Sequence, residues 1–278
     1  MPQSFANPAV LEFYRTLPFN FGDTIDGQVK SVRGHDLRQT FPALAGALRG
    51  VGRVIDVGCG VGWLGQSIAR QFGCDVTGID FNPVAVARAR EVAAALDLPC
   101  TFEVADLFTW RPASPADLAV SMGVLHHTDN CAAAIGVLCR HYIGVGGKIF
   151  IGLYHAYGRK PFLDHFRRLR EAGNDEEALL AEYARLDRRF SDPTHLRSWF
   201  RDQVLHPHET QHSMAEMCDV LAANGMELES CSVNGFKPFQ RLDELFEAET
   251  ALEEVGRQAL ADGKYYTGFF SLIARRVR

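Results

Sequence analysis

With 278 residues, 47% of them hydrophobic, the chain can form one large domain, or a domain with an insertion, around a sizeable core. Its 29 basic and 34 acidic residues leave a net charge of −5, which gives no support to a polyanionic partner such as nucleic acid. No apolar run approaches the ~20 residues of a membrane span, the N-terminus lacks a signal-peptide pattern, and the seven scattered cysteines read as reduced thiols, so a cytoplasmic protein off the membrane is expected.

Residues 1–48 precede the first strand. They carry an aromatic stretch over 13–23, with Phe13, Tyr14, Phe19 and Phe21, which Pro18 and Gly22 interrupt. A short helix at 44–48 leads into the core. The run 53–57, Arg-Val-Ile-Asp-Val, is an apolar strand that enters Gly58-Cys59-Gly60-Val61-Gly62, with an amphipathic helix expected over 63–72. Glycines at such a turn let a ligand lie against bare main chain, with the helix N-terminus behind it. A dinucleotide fingerprint needs its third glycine at position 63, where Trp63 stands, and a bulky residue there argues against a pyrophosphate on the helix end. Cys59 reads as a small packing residue rather than a nucleophile.

A second strand over 75–80 ends on Asp80, about 20 residues further on, where such folds place a carboxylate for a ribose. Asn82 and Pro83 then start a helix over 83–96, with Val84, Ala87, Ala94 and Leu98 as its expected apolar face. A third strand over 101–106 ends in Ala105-Asp106-Leu107. The fourth spans 116–122 and is followed by Gly123-Val124-Leu125-His126-His127. A glycine turn at 146–147 opens the fifth, which ends at Tyr154.

Beyond Tyr154 the strand–helix alternation stops. Residues 155–200 read as two or three helices, and their basic residues, Arg159 among them, fall at helical spacing among acids, as on a solvated face. Asp192-Pro193 opens a helix that is expected to end near 199–200. His208-Glu209-Thr210-Gln211-His212 is a literal His-Glu-x-x-His, a zinc pattern when it lies on a helix. Ser213 and Glu216 form a capping box that starts the helix after the histidines, so these fall on a loop. There His206 and His208 read as substrate-facing, and no metal ligand set is assigned. Strands are expected at 226–233 and 266–276, with one acidic helix over 239–261 between them.

Asp56, the glycine run 58–62, Asp80, Asp106 and Leu125-His126-His127, in this order, resemble the motifs of class I S-adenosylmethionine-dependent methyltransferases. The resemblance covers about residues 51–154 and resumes more weakly toward the C-terminus. It implies an α/β fold, a doubly wound seven-stranded and mostly parallel sheet with the last strand antiparallel. An N-terminal lid (1–48), a cofactor-binding core (49–154), a helical cap (155–212) and a C-terminal part of the core (213–278) are expected. The implied cofactor is S-adenosyl-L-methionine, with S-adenosyl-L-homocysteine as product.

In that family Asp56 would order the glycine loop, Gly58, Cys59, Gly60 and Gly62 would form the cofactor bed, and Asp80 and Asp106 would hold ribose and adenine. Phe81, Leu107 and Met122 would line the same site. In some small-molecule methyltransferases of this fold the histidine matching His126 takes the acceptor's proton with a lid tyrosine as partner, for which Tyr14 is the positional candidate. His127, Tyr154 and His155 are expected at the mouth beside a small-molecule acceptor. A tRNA or protein acceptor, a nicotinamide-dependent dehydrogenase and a cofactor-binding scaffold without turnover are the competing readings.

Overall fold

The computed structural model describes residues 8–22 and 24–278; residues 1–7 and Asp23, the last of the aromatic stretch, lie outside them. Strands β1 (Arg53–Val57), β2 (Asp75–Asp80), β3 (Cys100–Val104), β4 (Ala116–Met122) and β5 (Ile143–Tyr154) run parallel, while β6 (Met226–Cys231) and β5 both pair antiparallel with β7 (Phe269–Arg276). The order across the sheet is β3-β2-β1-β4-β5-β7-β6. The expected seven-stranded, mostly parallel sheet is therefore present, with the final strand inserted antiparallel. β1 and β4 are covered on both faces, hence their near-continuous apolar sequences.

Helices α1 (Pro8–Thr16), α2 (Ile25–Gly34), α3 (Leu37–Thr40) and α4 (Pro42–Ala47) precede β1, and α5 (Trp63–Phe72), α6 (Pro83–Ala95) and α7 (Cys131–Val137) connect parallel strands. On one face Leu44, Leu48, Leu64 and Ile68 pack against Val54, Val76, Leu118 and Phe150. On the other, Ile135 and Leu138 join Ile55, Val57 and Ile151. Helix α6 presents Ala85, Val86, Ala89, Val92 and Ala93 to the interior, not the expected face, and Val84 is exposed. An alanine-rich helix carries too little contrast between its sides for periodicity to choose one.

After β5 come α8 (Ala156–Glu171), α9 (Glu176–Leu186) and α10 (Pro193–Val204). They enclose a core of their own built on Phe162, Phe166, Leu179, Tyr183 and Phe200. Helix α10 is one turn longer than expected, because Phe200 and Val204 both belong to that core. Helix α11 (Met214–Ala223) leads into β6, and its cap, Ser213, accepts from Glu216 N. The stretch 239–261 forms two helices rather than one, α12 (Asp243–Thr250) and α13 (Leu252–Ala261). Among the described residues no helix is long and apolar enough to cross a membrane.

Helix α8 meets the start of β7 at Gly268, whose φ is +61°. A Cβ there would stand 2.2 Å from Arg159 N and 2.3 Å from Gly158 C, and backbone cannot step aside. Gly268→Ala is expected to cost at least about 3 kcal/mol, visible as a lowered midpoint in chemical unfolding. A wild-type midpoint would show that the helix and strand tolerate a wider spacing.

Candidate active site

In an open α/β sheet a ligand crevice lies at the carboxyl ends of the strands, where the winding reverses. Here that place is between β1 and β4, since the chain winds outward to β2 and β3 on one side and to β5 on the other. A cavity with about 1090 Å³ of open space, mouth included, occupies it. Of the residues predicted from sequence, Tyr14, Gly58, Cys59, Gly60, Asp80, Phe81, Asp106, Leu107, Met122 and His127 line it. Asp56, Gly62, His126, Tyr154, His206 and His208 are not among its lining residues.

The glycine loop is held from below and from the side. Gly58 N and Cys59 N donate to Ile79 O at 2.8 and 3.0 Å. Asp80 accepts from Gly60 N through Oδ2 and from Asn82 N through Oδ1, both at 2.8 Å. The loop is thus ordered by Asp80, whereas Asp56, the residue expected to do so, accepts from Gly65 N at 3.0 Å within the first turn of α5. Gly62 caps α5 and packs toward Gln66 and Phe102. At Gly60, with φ +52°, nothing lies within 4 Å of where a Cβ would stand, so a ligand can approach the main chain there. Burial raises the Asp80 carboxyl and pushes the Cys59 thiol well up, which suits Cys59 as packing. Asp106 accepts from Phe108 N at 2.8 Å at the far end of the crevice.

Burial also lifts Asp56 from 3.8 to about 7. The folded state then binds this proton more tightly than the unfolded chain, so the group's contribution to stability is complete below about pH 4 and lost as pH rises through 7. Asp56→Asn keeps an acceptor for Gly65 N without the charge. It is expected to exceed the wild type by about 2–4 kcal/mol at pH 8 and to match it near pH 4, as read by denaturant unfolding at both values. A pH-independent difference between the two proteins would contradict the shift.

Opposite the glycine loop stands a polar wall drawn from three distant segments. Helix α1 supplies Tyr14, whose carbonyl accepts from Asn82 Nδ2 at 2.8 Å and whose hydroxyl donates to Asp202 Oδ1. Asp202, on α10, also accepts from Gln203 Nε2 at 2.6 Å. Burial raises the Asp202 carboxyl, and burial with the nearby Asp202 charge raises the Tyr14 hydroxyl well above its ordinary value. Tyr14 thus partners Asp202 and not His126, as sequence position had led one to expect.

The 3₁₀ turn Leu125–His127 brings the two histidines to the end of β4. His127 faces the cavity and its Nδ1 donates to His208 O at 2.9 Å. His126 is fully buried one layer back, with its ring 4.1 Å from that of Tyr154 and its Nε2 3.1 Å from His127 Nε2. Successive residues of a 3₁₀ turn point about a third of a turn apart, so only one of an adjacent pair can face the cavity. Burial lowers both rings, His127 to about 4. His206 stacks on His127 at 3.7 Å and is lowered to about 3 by burial and by His127.

His208 Nε2 faces Thr128 O, His212 contacts Thr210 Oγ1 and Glu216, and neither belongs to a helix, so the zinc-protease arrangement is absent. His155 does not reach the mouth: it is fully buried, caps α8 through Nδ1 and contacts Glu249 at 2.9 Å. Arg159, expected on a solvated face, is fully buried. It donates to both oxygens of Glu209 at 3.1 and 2.9 Å, to Gln203 Oε1 and O, and lies 3.9 Å over the Tyr154 ring. Asp202, Gln203 and Arg159 are the site-building residues that sequence reasoning missed; the only trace was Ser198 and Asp202 at i, i+4 beside Phe200, placing polar groups on an inward helix face.

Residues 54–142 match the model of a family described as a methyltransferase domain. A ubiquinone biosynthesis O-methyltransferase of Xylella fastidiosa is 36% identical over 102 residues, which cover 36% of this chain and 40% of that protein. Another of the same name, from Salmonella arizonae, is 25% identical over 160 residues, 55% of this chain and 61% of its own. The alignments thus span about two fifths to three fifths of these relatives. Among solved structures, an S-adenosylmethionine-dependent methyltransferase of Mesorhizobium loti superposes with a TM-score of 0.51 at 23% identity, over 88% of this chain and 100% of that one. The magnesium protoporphyrin IX methyltransferase of Synechocystis gives 0.52 at 18% identity, over 96% and 97%. Residues 54–142 thus carry a methyltransferase domain, and the chain shares the fold of S-adenosylmethionine-dependent methyltransferases.

Proposed function

We propose that the chain methylates a small-molecule acceptor, using S-adenosylmethionine, in the cavity between the glycine loop and the Tyr14–Asp202–His127 wall. The observation that carries this is the continuity of one cavity from Asp80 and Asp106 to that wall. When bound, the cofactor supplies an electrophilic methyl carbon. Bare main chain at Gly58 and Gly60 gives its bed, Asp80 takes the ribose hydroxyls, Asp106 the adenine amino group, and Phe81, Leu107 and Met122 the apolar surface. Asp56 and Gly62 support the loop from behind.

Helices α1–α4 serve as the lid and α8–α10 as the acceptor-side cap, joined across the mouth by the Tyr14–Asp202 contact. Holding the acceptor's lone pair in line with the methyl carbon supplies much of the acceleration. The acceptor's proton leaves to the wall. Asp202, whose carboxyl burial raises, takes it, and His127, held near 4, orients the acceptor. His126, His206 and Tyr154 fix the His127 ring. Relatives named as O-methyltransferases favour an oxygen acceptor, and the seven free cysteines suit a reducing cytoplasm.

The test is calorimetric titration of the purified protein with S-adenosylmethionine, S-adenosylhomocysteine and NAD in parallel. Binding of both adenosyl ligands and no binding of NAD is expected; NAD binding alone would replace this reading with a dehydrogenase.

A further inference from the structure

We propose that His127, Asp202 and His206 bind one divalent transition-metal ion beside the cavity. One ring nitrogen from each histidine and a carboxylate oxygen of Asp202 lie within 4.8 Å of one another. Two imidazoles and a carboxylate suit zinc or ferrous iron, with positions left open for other ligands, whereas magnesium and calcium prefer oxygen. Atoms bound tetrahedrally at about 2.1 Å to one ion stand about 3.4 Å apart, so the three groups close by up to about 1.4 Å on binding.

Their surroundings fit. His127 Nδ1 donates to His208 O at 2.9 Å, the bond to a backbone carbonyl that typically orients a metal-bound imidazole and leaves its other nitrogen unprotonated. The Asp202 oxygens accept from Tyr14 and Gln203 and keep lone pairs for an ion. His206 Nε2 is buried without a hydrogen-bond partner among the described residues, an exception to the rule that buried polar atoms are satisfied. Binding exchanges two existing contacts: His206 Nδ1 with His208 N at 3.1 Å, and His127 Nε2 with His126 Nε2 at 3.1 Å. The ion would hold an acceptor oxygen and sharpen its acidity, a use that rests on the methyltransferase reading, whereas the binding itself does not.

The experiment uses the full chain, stripped with chelator, without cofactor or acceptor. Cobalt(II) is titrated by visible absorption and zinc by calorimetry. One equivalent is expected, with affinity at least about a hundredfold lower in His206→Ala and in the near-isosteric Asp202→Asn. His165→Ala, on α8 and paired with Glu182, retains it. Absence of saturable binding to the wild type, or full affinity in the folded His206→Ala or Asp202→Asn protein, overturns the site. Titration of the same preparation with S-adenosylhomocysteine reports separately on the methyltransferase reading.

Discussion

Arg159→Met is expected to lose about 3–5 kcal/mol of stability, the cost of breaking a buried ion pair by removing one partner. The guanidinium is fully buried and satisfies Glu209, Gln203 and Thr267 O at once. Although burial pushes Glu209 up, Arg159 holds this carboxyl below its ordinary range. In the wild type its contribution to stability is therefore present above the unfolded value and lost only as pH falls through the depressed one. Without Arg159 burial, the largest influence, is opposed only by the weaker effects of His127 and Gln211, so the variant should gain stability on acidification where the wild type does not. Arg159→Met with Glu209→Gln, which removes both charges, should recover most of the loss. Denaturant unfolding of the single and double variants decides the matter: equal stability of Arg159→Met and wild type would mean that the pair holds nothing together.

Asp80→Ala should weaken S-adenosylhomocysteine binding by at least about a hundredfold, or about 2.7 kcal/mol. Two effects combine. The carboxylate is the proposed ribose partner, and it also fixes Gly60 N and Asn82 N, two charge-assisted bonds worth about 1.5–3 kcal/mol each. Asp80→Asn, which keeps one acceptor oxygen, should fall between. Calorimetry reads the affinity, and unfolding shows whether the loop loosens without the fold failing. Wild-type affinity in Asp80→Ala would remove the ribose assignment.

The cofactor side of the crevice was legible because local chemistry writes it. Glycines at a strand end, an acid closing the next strand and an Asn-Pro helix start are each fixed by backbone requirements that act over a few residues. The acceptor side was not, because it is assembled at long range. Asp202 faces Tyr14 only once α10 has packed on Phe162, Phe166 and Tyr183. Arg159 resembles its neighbours Arg167 and Lys160 in sequence, and only the meeting of α8, the 203–209 segment and Thr267, just before β7, makes it interior. His126 and His127 are equivalent to any pattern; the pitch of a three-residue turn separates them.

The antiparallel insertion of β7 also bears on how the chain acquires its structure during synthesis. β6 touches the sheet only through β7, and β5 has no neighbour on that side until residues 269–276 arrive. While the ribosome is still adding those residues, the nascent chain carries an open strand edge along Lys148–Tyr154 and a β6 segment with nothing to pair with. Such an edge invites pairing with other chains. A stalled or truncated product ending before residue 269 is accordingly a substrate for chaperones rather than a smaller version of the same domain.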